Sequence, residues 1–290
     1  MQIGLIGAGK IGACLAGKFK DAGHAVRIAN SRGPETLAAL AKEVGATAMP
    51  VVDIARQSDV LIISVPMKAI RQFPAKLFDG ARDDLIVVDT GNYAAFRDGH
   101  IEPLESGMLE TKWVAEQLGR PVVKAFNSIS IGSLRNHGRP KGSPERIALP
   151  VAADDQRGKD VVIGLIDEIG FEGVDAGGLD ASWRQQLGGA LYCTDLSASR
   201  LKEVMQGLTD NDYAKLGERR DIALKAVMDW SHGLIAGDLP RLMRSLANSE
   251  SPVIYKRLRS GRKPDDGDCV GCYQAKTPSR LRRAPAAPAE

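Results

Sequence analysis

Three glycines near the N-terminus stand at a spacing that can hold a phosphate pair. They lie in Gly7-Ala8-Gly9-Lys10-Ile11-Gly12. A short apolar run precedes them and a segment of helical spacing follows. In that setting Gly7 permits a tight turn, Gly9 lets the backbone approach a pyrophosphate, and Gly12 lets helix and strand pack closely. The helix start adds free N–H groups and a partial positive charge. The competing reading is a glycine turn that only packs a helix on a sheet.

A second group, Asn30-Ser31-Arg32, stands where a dinucleotide site usually carries Asp or Glu for the adenosine ribose hydroxyls. No acid occurs there before Glu35. Arg32 can pair with a 2′-phosphate and Ser31 can donate a hydrogen bond to it, whereas an acid would repel it. The pattern predicts NADP over NAD. The alternative for Arg32 is a solvated surface charge.

Three further stretches can approach the nicotinamide end: Ser64-Val65-Pro66-Met67, Asp89-Thr90-Gly91-Asn92-Tyr93 and Ala125-Phe126-Asn127-Ser128. Val65, Pro66, Asn92, Ala125 and Asn127 are the candidate contacts there. Small and amide-bearing residues can pass close to a cofactor and bond its ribose or carboxamide. Asp89 and Asn92 also suit plain turn chemistry.

These groups need elements to hold them. Gln2–Ile6, Ala25–Ala29, Asp59–Val65, Leu85–Val88, Pro121–Phe126 and Arg146–Ala152 read as strands, and Gly173–Ala176 as a last one. Near-continuous Val/Ile/Leu runs suit strands buried on both faces. Between them, Lys10–Ala22 places Ile11, Leu15, Ala16 and Phe19 on one helical face, with Gly23 at the C-cap. A second helix starts at Pro34 and runs to about Val44. The alternation predicts an α/β, doubly wound parallel sheet of the Rossmann type, with a smaller helical C-terminal region. We assign 1–178 to the cofactor-binding domain, 179–250 to the helical region and 251–290 to a basic, Pro-rich tail. That tail has too little apolar material to offset chain entropy, so we expect disorder.

Reduction of a carbonyl or imine would need a proton donor near the nicotinamide. Lys124, Tyr93, His137 and Tyr192 are the residues available, and no Ser-Tyr-Lys or His-Asp pattern is evident. Lys124 and Asn127 have the Lys-x-x-Asn spacing of β-hydroxyacid dehydrogenases, where the pair shares a helix face. Here the segment reads as strand, which sends the two to opposite faces, and the plain reading of Lys124 is a head group in solvent. Trp183-Arg184-Gln185-Gln186 and Tyr192-Cys193-Thr194-Asp195 are placed to line an acceptor pocket, Trp183 either by stacking or as core. Cys193 reads as a small buried residue. Cys269-Val-Gly-Cys272 stands alone, without the second ligand pair a zinc site needs, and reads as tail without function.

The net charge of +3 over 290 residues is too small to argue for nucleic acid. No apolar run approaches the length of a membrane span. The cysteine spacing gives no disulfide framework, which suits a reducing compartment, and the N-terminus lacks a basic leader. We expect a cytoplasmic protein with a small-molecule partner.

The sequence also resembles the NADP oxidoreductase family named for the deazaflavin coenzyme F420. The resemblance rests on Ile3 to Gly12, Ala29 to Thr36, Val88-Asp-Thr-Gly-Asn-Tyr93, Val123-Lys-Ala-Phe-Asn127, Ile147-Ala-Leu-Pro-Val-Ala152 and Val174-Asp-Ala-Gly177. It spans roughly 1–250 and is strongest before Gly178. It implies hydride exchange between NADP and a planar acceptor (a deazaflavin, a flavin or a quinone-like ring), with Ser31 and Arg32 on the 2′-phosphate. A homodimer is expected from the family and from the helical region. Two other readings stay open: a β-hydroxyacid or imine reductase with Lys124 as acid, and a non-catalytic NADPH sensor.

Overall fold

The computed structural model describes residues 1–229, 240, 243 and 244. The expected tail and its Cys269–Cys272 pair lie outside the described residues.

Six strands form one parallel sheet. They are β1 (Gln2–Ile6), β2 (Ala25–Ala29), β3 (Thr47–Ala48), β4 (Val60–Ile63), β5 (Ile86–Asp89) and β6 (Val123–Lys124). Their order is β3-β2-β1-β4-β5-β6. This is the Rossmann order, and the strand sequence reverses between β1 and β4, where such sheets bind ligands. Alternation along the strands shows why apolar runs were required. Ile3, Leu5, Val60, Ile62, Ile86 and Val88 enter the core on one face. Ile6, Leu61, Ile63 and Val87 enter the core on the other. A period of two with both faces covered leaves no position for a polar residue until the strand ends.

The helices fill both faces. α1 (Lys10–Asp21) buries Gly12, Leu15, Ala16 and Phe19. Gly23, at φ +90°, follows its end, as expected. The Pro34 helix begins as a 3-10 turn, Pro34–Leu37, and continues as α2 (Ala38–Val44). On the opposite face α3 (Glu110–Leu118) buries Glu110, Thr111, Trp113 and Val114. β7 (Ala148–Val151) and β8 (Glu172–Asp175) form a separate parallel pair, spanned by α4 (Gln156–Glu168). That pair meets the main sheet through one antiparallel bridge, Lys124 with Ala152.

After β8 come a 3-10 helix, Leu179–Gln185, then α5 (Ala198–Gly207), α6 (Asp210–Ala214) and α7 (Leu216–Asp229). No strand interrupts this region among the described residues. Three details differ from expectation. β7 and β8, read as further strands of the one sheet, pair apart from it. β3 is a two-residue edge strand too short to leave a sequence pattern. β6 ends at Lys124, well short of Phe126, because Phe126 turns to φ +59° and leaves the sheet.

Candidate cofactor-binding site

The three glycines of the first turn differ in what surrounds them. Gly7 has φ +107°, and its N–H donates to the Ala29 carbonyl at 2.9 Å. A Cβ there would lie 2.1 Å from the Ser64 carbonyl oxygen. A Cβ on Gly12 would lie 2.1 Å from the Gly7 carbonyl oxygen. Both glycines are therefore demanded by the protein's own packing. Gly9 is not: a Cβ on it meets nothing within 4 Å, and its backbone is extended at φ −72°, ψ −177°. It heads α1 with no side-chain cap and no acid in the first turn. The fold thus leaves an open cradle beside the helix start, flanked by half-buried Ala8 and Ile11 and exposed Lys10. A pyrophosphate fits that cradle by charge and by space.

The end of β2 is shaped by Asn30. Its side-chain carbonyl accepts from the Arg32 N–H at 2.9 Å, and its amide donates to Thr36 Oγ1 at 2.9 Å. This closed turn leaves Ser31 and Arg32 exposed. Neither side chain has a hydrogen bond or ion pair among the described residues. Across the switch point, the Ser64 N–H donates to the Ile6 carbonyl at 2.8 Å, which brings half-buried Val65 and exposed Pro66 beside the glycine turn.

The ends of β5 and β6 carry a knot of amides. Asn127 Nδ2 donates to Asn92 Oδ1 at 3.0 Å, and Asn92 Nδ2 donates to the Asn127 carbonyl at 3.0 Å. Gln185 Nε2 donates to the Lys124 carbonyl at 3.1 Å, and Asn127 Nδ2 to the Gln185 carbonyl at 2.6 Å. The left-handed Phe126 turns the chain so that Asn127 reaches this knot. Its ring is buried edge-on against Phe19, with centroids 6.1 Å apart. A bulky residue in that conformation costs about 1–3 kcal/mol, and such strain concentrates at ligand sites.

Beneath the knot lies an ionic cluster. Lys124 is not at the surface as expected: its side chain has 0% exposure. Its Nζ donates to Asp89 Oδ2 at 2.9 Å and to the Gly91 carbonyl. The physical reason is its place in β6, with β5 and its Asp89 on one side and the Ala152 bridge on the other. Glu110, at the start of α3, joins the cluster. Burial pushes its carboxyl up to about 7, while the Lys124 charge and the Tyr93 backbone N–H pull it back. Its Oε2 has no hydrogen-bond partner. The sequence reading missed Glu110, because a lone acid in a first helical turn looks like ordinary dipole pairing.

The other candidate acids separate. Tyr93 is buried; its hydroxyl donates to Glu105 at 2.5 Å and lies 3.0 Å from the Gly99 carbonyl. Burial, with Glu105, pushes its hydroxyl up to about 12. His137 is exposed. Burial also raises the Tyr192 hydroxyl and the Cys193 thiol, so Cys193 is the inert buried residue expected. Trp183 is half-buried and packs on Tyr213, with ring centroids 5.4 Å apart; its neighbour Gln185 is the member of that stretch that joins the strand ends. Among the described residues no cluster of His, Cys, Asp and Glu is arranged to hold a metal, and no helix is long and apolar enough to cross a membrane.

Comparison with known proteins agrees with this architecture. The chain is 33% identical to a hypothetical protein, SMa0349, from Sinorhizobium meliloti, covering 67% of this chain and 93% of that one at a TM-score of 0.57. A protein from Arthrobacter sp. FB24, described as a candidate F420-dependent NADP-reductase, shares the fold at 22% identity and a TM-score of 0.52, over 63% of this chain and 87% of that one. The Escherichia coli K12 protein YjhV is 38% identical over 88 residues, 30% of this chain and 60% of YjhV, so the match spans less than two thirds of that relative. Residues 2–93, from β1 through the turn after β5, match the family described as NADP oxidoreductase coenzyme F420-dependent, and the chain belongs to that family.

Proposed function

We propose that this chain is an NADPH-dependent oxidoreductase that passes a hydride between NADP(H) and a planar redox acceptor such as the deazaflavin F420 or a flavin. The observation that carries the reading is the pairing of an open cradle at Gly9 with an exposed, unpaired Ser31–Arg32 at the neighbouring strand end. Gly7 to Gly12 would hold the pyrophosphate. Ser31 and Arg32 would hold the 2′-phosphate, with Asn30 fixing their turn. Val65, Pro66 and Asn92 would border the nicotinamide, with Asn127 behind Asn92 in the amide knot; Ala125, expected there from the sequence, has 0% exposure and lies beneath the surface. Bound NADPH supplies the hydride, and the chain's own residues align the two rings and exclude water. A deazaflavin accepts hydride at carbon, so no side-chain acid is required at that atom. The ion pair that buries Lys124 disfavours its use as a substrate acid. We further propose residues 1–178 as the cofactor domain, 179–250 as a helical region beside it, and a cytoplasmic homodimer.

Charge-assisted hydrogen bonds of this kind contribute about 1.5–3 kcal/mol. Arg32→Ala should therefore weaken NADPH binding about 10- to 100-fold and leave NADH binding unchanged. Titration of both cofactors into both proteins measures this. A wild-type protein without preference for NADPH overturns the assignment. NADPH oxidation assayed against F420, FMN and a soluble quinone tests the acceptor class; no turnover with any of them counts against it.

A further inference from the structure

We propose that Asp89 and Lys124 form a buried clamp that positions the nicotinamide half of the cofactor through Gly91 and Asn92. This rests on the reading that the nicotinamide lies over the ends of β5 and β6.

The geometry is specific. Asp89 Oδ1 accepts from the Gly91 N–H at 2.7 Å, and Asp89 Oδ2 accepts from Lys124 Nζ at 2.9 Å. The same ammonium donates to the Gly91 carbonyl. One ion pair therefore holds both backbone polar groups of one residue. Gly91 is buried and leaves no slack: a Cβ on it would sit 3.0 Å from Asp89 Oδ1 and 3.4 Å from Met67. The next residue is Asn92, whose amide exchanges two hydrogen bonds with Asn127. Asn92 is further fixed by Arg97, which donates to its carbonyl. The clamp thus fixes half-buried Asn92, the amide that the proposed site sets beside the nicotinamide.

A buried ion pair is a poor way to gain stability. Desolvating two charges offsets most of their attraction, and well-packed apolar residues often do as well. What the pair supplies here is direction. Apolar side chains at 89 and 124 would leave the Gly91 N–H and carbonyl without these partners, and the turn carrying Asn92 would be free to rotate. Lys124 is accordingly a positioning residue and not a proton donor to substrate. The surroundings agree: Glu110 of α3 feels both charges of the pair, together with the Tyr93 backbone and Arg220, and none of these lies between Lys124 and Asn92 in the hydrogen-bonded chain.

The test separates the two halves of the cofactor. Adenosine 2′,5′-bisphosphate carries the 2′-phosphate and no nicotinamide. In the full chain, Lys124→Met should weaken NADPH binding at least tenfold and leave adenosine 2′,5′-bisphosphate binding unchanged. It should also reduce the rise in NADPH fluorescence that marks an ordered nicotinamide. Asn92→Ala, which leaves the ion pair in place, should reproduce the selective loss if Lys124→Met does not fold. Equal binding of both ligands to wild type and to the variants, or parallel loss of both, overturns the clamp. If the wild type binds adenosine 2′,5′-bisphosphate no better than ADP, the NADP reading has failed, and the clamp then stands or falls on the same comparison made with NADH and ADP.

Discussion

At the scale of single residues, the three glycines of the first turn make separable predictions. Gly12→Ala puts a Cβ 2.1 Å from the Gly7 carbonyl. The helix must shift, and overpacking of this kind costs about 1–3 kcal/mol. Gly9→Ala meets no protein atom, and its φ of −72° is open to alanine. Its melting temperature should match the wild type while NADPH affinity drops at least tenfold. Thermal melts and cofactor titrations of the two variants should therefore diverge in opposite senses. A Gly9→Ala variant that binds NADPH normally would show that the cradle holds no pyrophosphate. The roles of Gly7 and Gly12 were legible in sequence because the strand–turn–helix pattern that calls for them is local, although the atoms that bar a side chain at Gly7 belong to Ser64 and Val65, just past the neighbouring strand β4. The state of Lys124 was not. Its partners Asp89 and Gly91 lie more than 30 residues away, and no local pattern reports that two strand ends will seal over an ammonium.

At the scale of elements, strands β1, β4 and β5 were readable because burial on both faces forces unbroken apolar runs. β6 was read too long for the same reason. Ala125 and Phe126 are buried, yet the left-handed Phe126 removes them from the sheet, and hydrophobicity does not distinguish a buried strand from a buried turn. Helix α3 brings an acid into the place so formed. Glu110 has its carboxyl held up to about 7 by burial, against an ordinary value of 4.5. Below about 4.5 it is protonated in both folded and unfolded chains and adds no pH dependence. Between 4.5 and 7 only the folded chain retains the proton, so stability falls as pH rises, and the full cost is present above 7. The shift corresponds to at most about 3 kcal/mol. Lys124, Asp89, Tyr93 and Arg220 face this carboxyl. Glu110→Gln should therefore be flatter than wild type between pH 4.5 and 7, with its largest relative gain above 7. Urea midpoints at pH 5 and pH 8 for both proteins decide it. An equal change in the two would place the titration elsewhere.

At the scale of the whole molecule, the proposed cofactor contacts come from four strand ends that are far apart in sequence. Gly7, Ser31, Val65 and Asn92 follow β1, β2, β4 and β5, and it is the folded sheet that brings them together. A ligand that touches all four binds only the native state, so its affinity appears directly as stability. At a hundredfold excess over its dissociation constant, NADPH should add about 2.7 kcal/mol. For a chain of this size that is a rise of roughly 4–5 °C in the unfolding temperature. If Ser31 and Arg32 give a hundredfold preference, NADH at the same concentration stands near its own dissociation constant. It then contributes about 0.4 kcal/mol, or roughly 1 °C. Adenosine 2′,5′-bisphosphate should fall between them, since it engages the β1 and β2 ends alone. The order NADPH, adenosine 2′,5′-bisphosphate, NADH in a melting series is specific to a site read from all four strand ends. A series in which NADPH and NADH shift the transition equally would show that no residue selects the 2′-phosphate, and would remove Arg32 from the site.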